Sequence, residues 1–231
     1  MVSTKLSSEE AVTPGRAFEV KAGPLGLPGT LAVPTGARGI VAFVHGSGSS
    51  RLSPRNGYVA DALNAAGFAT LLFDLLTEEE EADRRNVFDI HLLAERLTGV
   101  VEWLDGEEAV AGLPLGLFGA STGAAAALVA AERLGPRVAA IVSRGGRPDL
   151  AGEVLGFVRA PVLLIVGGRD TDVLALNRIA LTRLAGEASL VVVQGATHLF
   201  PEPGALDRVV VLARDWFETW LAAAGRQAAG A

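Results

Sequence analysis

The chain has 231 residues, half of them hydrophobic, with a formal net charge of -6 and a sequence pI near 5.2. That length suits one domain with a sizeable core, the acidic balance argues against a nucleic-acid footprint, and no uninterrupted apolar run approaches the roughly 20 residues of a membrane helix. Cysteine is absent, which excludes a disulfide scaffold, a thiolate metal site and a cysteine nucleophile, and fits a reducing cytoplasm.

Residues 1–16 are expected to form a flexible segment, and Met1 to Gly15 has no apolar stretch of the kind a secretory signal needs, so none is expected there. Ala17 to Lys21 and Thr30 to Val33 read as short antiparallel strands joined through Gly/Pro-rich turns. Gly39 to Val44 is a continuous apolar run, the pattern of a strand buried on both faces. Tyr58 to Ala66 predicts a helix that ends at Gly67. A second buried strand follows at Ala69 to Phe73, and Glu78 to Glu81 reads as a solvated turn or helix start. Val87 to Leu104 places Phe88, Leu92, Leu93, Leu97, Val100, Val101 and Leu104 on one helical stripe.

Further strands are predicted at Leu115 to Phe118, Val138 to Val142, Val162 to Val166 and Ser189 to Val193. Helices are predicted at Thr122 to Leu134, Leu174 to Leu184 and Leu206 to Leu221. Strands alternating with helices imply a mostly parallel sheet covered on both faces, an α/β fold occupying 17–224 as one domain. Residues 225–231 read as a frayed tail. In such a sheet ligands bind beyond the carboxyl ends of the strands, so chemistry belongs just after each apolar run.

His45-Gly46-Ser47-Gly48-Ser49-Ser50 follows the first buried strand, and its small residues let backbone N–H groups face a ligand. It lacks the third glycine of a dinucleotide fingerprint and the Gly-Lys-Ser/Thr of a phosphate loop. Gly119-Ala120-Ser121-Thr122-Gly123 follows the Leu115 strand. A GxSxG pattern is only moderate evidence in a chain with 28 glycines, but this one lies between a buried strand and an Ala-rich helix, the setting of a nucleophile elbow. The competing reading is a serine that caps an ordinary helix.

Arg169-Asp170 ends the turn after the Val162 strand, and His198 follows the last strand. A serine nucleophile needs a base, and the base needs an acid to fix its tautomer. Ser121, Asp170 and His198 supply these residue types at three strand ends, in the order Ser, Asp, His. Asp172 and Asp74 are weaker candidates for the acid, and Asp172 is expected to cap the helix that follows. His91 reads as a surface residue and His45 as part of the loop that faces the oxyanion. No histidine pair has metal-ligand spacing, so neither metal nor cofactor is expected.

The ordered set of His45 to Arg51, Gly119 to Gly123, Gly167 to Asp170 and Gly195 to Phe200 resembles the dienelactone hydrolase-like branch of the α/β-hydrolases. It resembles in particular bacterial hydrolase domains sometimes fused to phosphoribosyltransferases. The likeness spans roughly residues 17 to 221 and implies an α/β-hydrolase fold. It also implies Ser121 as nucleophile, His198 as base, Asp170 as acid, and an oxyanion hole from the backbone N–H groups of Thr122 and Ser47, with Gly48 as fallback. The branch's dienelactone hydrolases use cysteine, which this chain lacks, so the resemblance implies a serine esterase.

Ser143 to Pro161 leaves room for a loop and one short helix but no large lid. An open site favours small soluble esters as the molecules the chain acts on, with neither nucleic acid nor membrane as partner. Arg51, Arg144, Arg147 and Leu199 lie near the strand ends and are expected to line the pocket. The same triad would also serve a thioesterase, lactonase, amidase or perhydrolase; a non-catalytic binding module is the third reading.

Overall fold

The computed structural model describes residues 16–229. Its eight strands are β1 (Arg16–Ala22), β2 (Leu27–Val33), β3 (Ile40–Val44), β4 (Ala69–Phe73), β5 (Leu115–Ala120), β6 (Val138–Arg144), β7 (Val162–Gly167) and β8 (Ala188–Val193). They form one sheet in the order β1-β2-β4-β3-β5-β6-β7-β8. The pairs β1–β2 and β2–β4 are antiparallel, and every later pair is parallel. This is the α/β-hydrolase fold. The apolar runs behave as their composition dictates: β3, β5 and β7 are buried along their whole length, whereas β8, at the sheet edge, is buried only at Val193.

Six helices cover the sheet: α1 (Pro54–Ala65), α2 (Glu78–Glu81), α3 (Ile90–Asp105), α4 (Thr122–Leu134), α5 (Thr171–Leu181) and α6 (Ala205–Ala229). One core packs Leu97, Val101 and Leu104 of α3 and Ala125 to Leu128 of α4 against Leu115 and Leu117 of β5. The other packs Val59 and Leu63 of α1 and Val209, Phe217 and Leu221 of α6 against Phe43, Phe118 and Ile165. Helix α4 is buried from Thr122 to Ala131, because its run of alanines lets it lie close to the sheet and to α3 at once.

Several boundaries differ from the sequence expectation. Helix α1 begins at Pro54, ahead of the predicted Tyr58, because Ser53 caps it through its side chain and proline is tolerated in a first turn. The acidic run, by contrast, forms the solvated helix start expected, the one-turn helix α2 closed by a capping box between Thr77 and Glu80. Helix α6 continues past Leu221 to Ala229, so the expected frayed tail is helical as far as Ala229; Ala222 to Ala224 are strong helix formers. The other flexible segment expected, 1–16, lies outside the described residues except for Arg16, which opens β1. Between β6 and β7 there is a 3₁₀ segment, Pro148–Phe157, kinked at Gly152, and no inserted lid. Among the described residues no helix is long and apolar enough to cross a membrane.

Candidate active site

Ser121 sits between β5 and α4 with φ 51° and ψ -124°, one of two non-glycine residues at positive φ among those described. Such backbone is strained for a residue with a Cβ, so tertiary packing must hold it. The packing is visible at the flanking glycines. A Cβ on Gly119 would lie 2.5 Å from Ala124 Cα, and one on Gly123 would lie 2.1 Å from the Val44 carbonyl oxygen. Strand, turn and helix therefore close on one another only with glycine at both positions. Although Ser121 occupies the N-cap position of α4, its side chain makes no capping hydrogen bond. That removes the ordinary-cap reading and leaves the hydroxyl at a helix N-terminus, where the aligned peptide dipoles favour negative charge.

His198 lies in the loop after β8, and its Nδ1 is 2.6 Å from Asp170 Oδ2. A carboxylate oxygen accepts hydrogen bonds, so the ring nitrogen Nδ1 is the donor in this contact. Asp170 occupies the N-cap position of α5 but makes no cap bond, because its carboxyl is turned to the imidazole. The expectation that Asp172 caps this helix is corrected here: Asp172 is an exposed residue of the first turn. Asp74 is committed elsewhere, accepting the Arg51 backbone N–H at 2.8 Å and facing its guanidinium at 3.6 Å.

Ser121 and His198 both flank the end of β6. The Ser121 N–H donates to the Arg144 carbonyl at 3.3 Å, and the next residue, Gly145, lies so close to the histidine that a Cβ there would be 2.9 Å from His198 O and 3.5 Å from its Nδ1. Gly145 has φ 52°, and only glycine meets both demands cheaply. Gly46 closes the third side: a Cβ on it would lie 2.8 Å from Ser121 Cβ and 3.5 Å from Ser121 Oγ.

The loop carrying Gly46 is tied down by His45. Its ring Nδ1 lies 3.1 Å from the Gly46 carbonyl, and its Nε2 accepts the Leu75 N–H at 3.1 Å. Burial pushes the His45 pKa down, against smaller opposing effects of the Gly46 carbonyl, Asp74 and Glu81, so the ring is a neutral strut of the loop. Thr122, first residue of α4, has no intrahelical acceptor for its backbone N–H. The Ser47 N–H donates to Thr122 Oγ1 at 2.9 Å. A part-buried donor must be satisfied, and the inward-turned threonine hydroxyl satisfies it.

The expected pocket-lining residues divide. Leu199 is 45% exposed beside His198. Arg51 is held sideways by Asp74 and Glu19, and Arg147 pairs with Asp149. Arg144 is 6% exposed and points to the α1 face of the sheet, where it donates to Asn56 Oδ1 at 3.2 Å. His91 is on the surface near Arg133. Among the described residues no cluster of side chains could hold a metal ion.

Three supporting residues escaped the sequence reading. Glu202 accepts the Thr197 N–H at 3.1 Å and its hydroxyl at 2.8 Å, bracing the loop just before His198. Those bonds, the hydroxyl's foremost, hold its carboxyl below the usual pKa. Asn177, fully buried on α5, donates to the Gly146 carbonyl at 2.9 Å. Asn56 is the buried partner of Arg144. The available signal was an asparagine on the inward face of a helix, where a polar side chain must have a partner.

No protein-family model matches the sequence. A dienelactone hydrolase from Anabaena variabilis, known from its crystal structure, is 53% identical, with a TM-score of 0.82 over 89% of this chain and 97% of that one. The chain belongs to the dienelactone hydrolase-like branch of the α/β-hydrolases. As a member of that branch it has hydrolase neighbours of much lower identity as well. An α/β serine hydrolase homologue from Coxiella burnetii shares the fold at 20% identity and a TM-score of 0.69, over 89% of this chain and 99% of that one. A Mycobacterium tuberculosis protein that carries the name of a phosphoribosyl transferase is 62% identical over 199 residues. Those residues are 86% of this chain and 45% of the relative, so this dienelactone hydrolase-like chain spans under half the length of the curated relatives it matches.

Proposed function

We propose that the protein is a serine hydrolase that cleaves small carboxylic esters through an acyl-enzyme. The observation that carries the reading is the strained, uncapped Ser121 at the strand-to-helix turn. Ser121 attacks the ester carbonyl while His198 Nε2 takes the hydroxyl proton. Asp170 holds the imidazole in that tautomer and stabilises its charged form. The oxyanion of the tetrahedral intermediate takes hydrogen bonds from the Thr122 N–H and from the Ser47 N–H, the latter turning from Thr122 Oγ1 as charge develops. His198 returns the proton to the leaving alcohol, and a water activated by the same nitrogen releases the acid. No cofactor enters this chemistry.

The open approach between β6 and β7, without a lid, supports small soluble esters over long acyl chains. The transferase name of the mycobacterial relative is not carried over, since the matched region has the hydrolase fold. The test is hydrolysis of short-chain p-nitrophenyl esters. The wild-type chain should turn these over, with activity falling as the acyl chain lengthens. A folded wild-type chain inert toward the whole series would contradict the esterase assignment.

A further inference from the structure

Three arginines surround the start of α1, and they are not alike. Arg51 is neutralised by Asp74 and Glu19. Arg144 and Arg55 form no ion pair with any described carboxylate, whereas the Nε of all three is buried without a hydrogen-bond partner. Arg144 is more than nine-tenths buried, and its one hydrogen bond is to the neutral amide of Asn56. Burial, and then the like charge of Arg55, push its pKa down to about 10. Leaving a guanidinium buried and unpaired is costly, and here a second cation, Arg55, acts on it as well. The two cations without a carboxylate partner together favour an anion.

The spot is also next to the chemistry. Arg144 is the residue whose carbonyl accepts the Ser121 N–H, and α1 begins at Pro54, separated by three residues from the His45 to Ser50 loop. Ser143, one residue earlier, turns its hydroxyl toward Gly146 and Ala124 of α4, so Arg144 faces the opposite side of the sheet, as strand alternation requires.

We infer that Arg144 and Arg55 form a subsite for a doubly charged oxyanion on the substrate, a phosphate monoester group. Two unpaired guanidinium groups match a dianion. A single carboxylate would leave one positive charge uncompensated, and a phosphate offers enough oxygens for both forks to bind. The inference rests on the serine hydrolase reading for its placement beside the nucleophile, yet binding can be tested without turnover.

The experiment titrates inorganic phosphate, and acetate as the monoanion control, into the 231-residue Ser121→Ala chain by calorimetry. Phosphate should bind at least tenfold more tightly than acetate. Adding Arg144→Gln or Arg55→Gln should weaken phosphate binding at least tenfold each. Arg55 is only partly buried, so its variant keeps the test open if the Arg144 variant does not fold. In the active chain, kcat/KM for the p-nitrophenyl ester of phosphoglycolic acid, relative to that of methoxyacetic acid, should fall at least tenfold in Arg55→Gln. No phosphate binding to the folded chain, binding no tighter than acetate, or affinity unchanged in the Arg55 variant would overturn the subsite. Phosphate binding by a chain that hydrolyses no ester would leave the subsite standing and sink the hydrolase reading instead.

Discussion

His198 Nδ1 lies 2.6 Å from Asp170 Oδ2, two residues 28 positions apart that the sheet brings together at the ends of β8 and β7. Of the three acids the sequence offered, Asp170 is the one in contact with His198, and so the one proposed. Asp170→Asn should lower kcat for short p-nitrophenyl esters by about 10⁴-fold, because the amide leaves the imidazole in the wrong tautomer. Asp172→Asn and Asp74→Asn should cost far less. Parallel kinetics on the three variants check this, and a larger loss at Asp172 would move the acid.

Gly46 leaves no room beside the proposed nucleophile, since a Cβ there would lie 2.8 Å from Ser121 Cβ and 2.9 Å from the Ala120 carbonyl oxygen. Gly46→Ala must displace the loop that carries the Ser47 N–H. We expect a loss of about 10²- to 10³-fold in kcat, the scale of one oxyanion donor, with a circular dichroism spectrum like that of the wild type. Full activity would mean that the loop does not contribute to the site.

Glu202 touches no reacting atom in the proposed mechanism and acts through Thr197. Glu202→Ala should loosen the histidine loop and lower kcat by up to about a hundred-fold with KM little changed, since small misplacements of a base are costly. Glu202→Gln, which keeps an acceptor oxygen, should recover part of the loss. A purely structural role would change unfolding behaviour without this split.

Much of this arrangement was legible in the sequence because it depends on local patterns. Continuous apolar runs located the buried strands, and the residue types that follow β5, β7 and β8 pointed to Ser121, Asp170 and His198 as the proposed triad. What stayed hidden depends on distant partners. Nothing near Ser47 in sequence announces that its N–H meets Thr122 Oγ1, 75 positions away. Likewise Arg144 reads as one arginine in a polar loop until α1 folds over it without offering a carboxylate. The early start of α1 was missed because its stop-start signal, Ser53 followed by Pro54, carries no apolar periodicity.

His45 gives the fold a pH dependence of defined sign. Its folded pKa is lowered from 6.5 mainly by burial, so below that value the unfolded chain binds a proton that the folded chain resists. The stability it contributes is present above about pH 6.5 and is lost as pH falls below it. The urea midpoint should therefore fall between pH 7.5 and 5.5, and the fall should shrink in His45→Gln. An equal fall in both proteins would assign the effect to other groups.

The most direct measurement is covalent capture of the nucleophile. Treatment with a fluorophosphonate, followed by peptide mass mapping, should give a single adduct on Ser121, none in Ser121→Ala, and much slower labelling in His198→Ala. A folded wild-type chain that resists the reagent, or an adduct on any other residue, would contradict the assignment of Ser121.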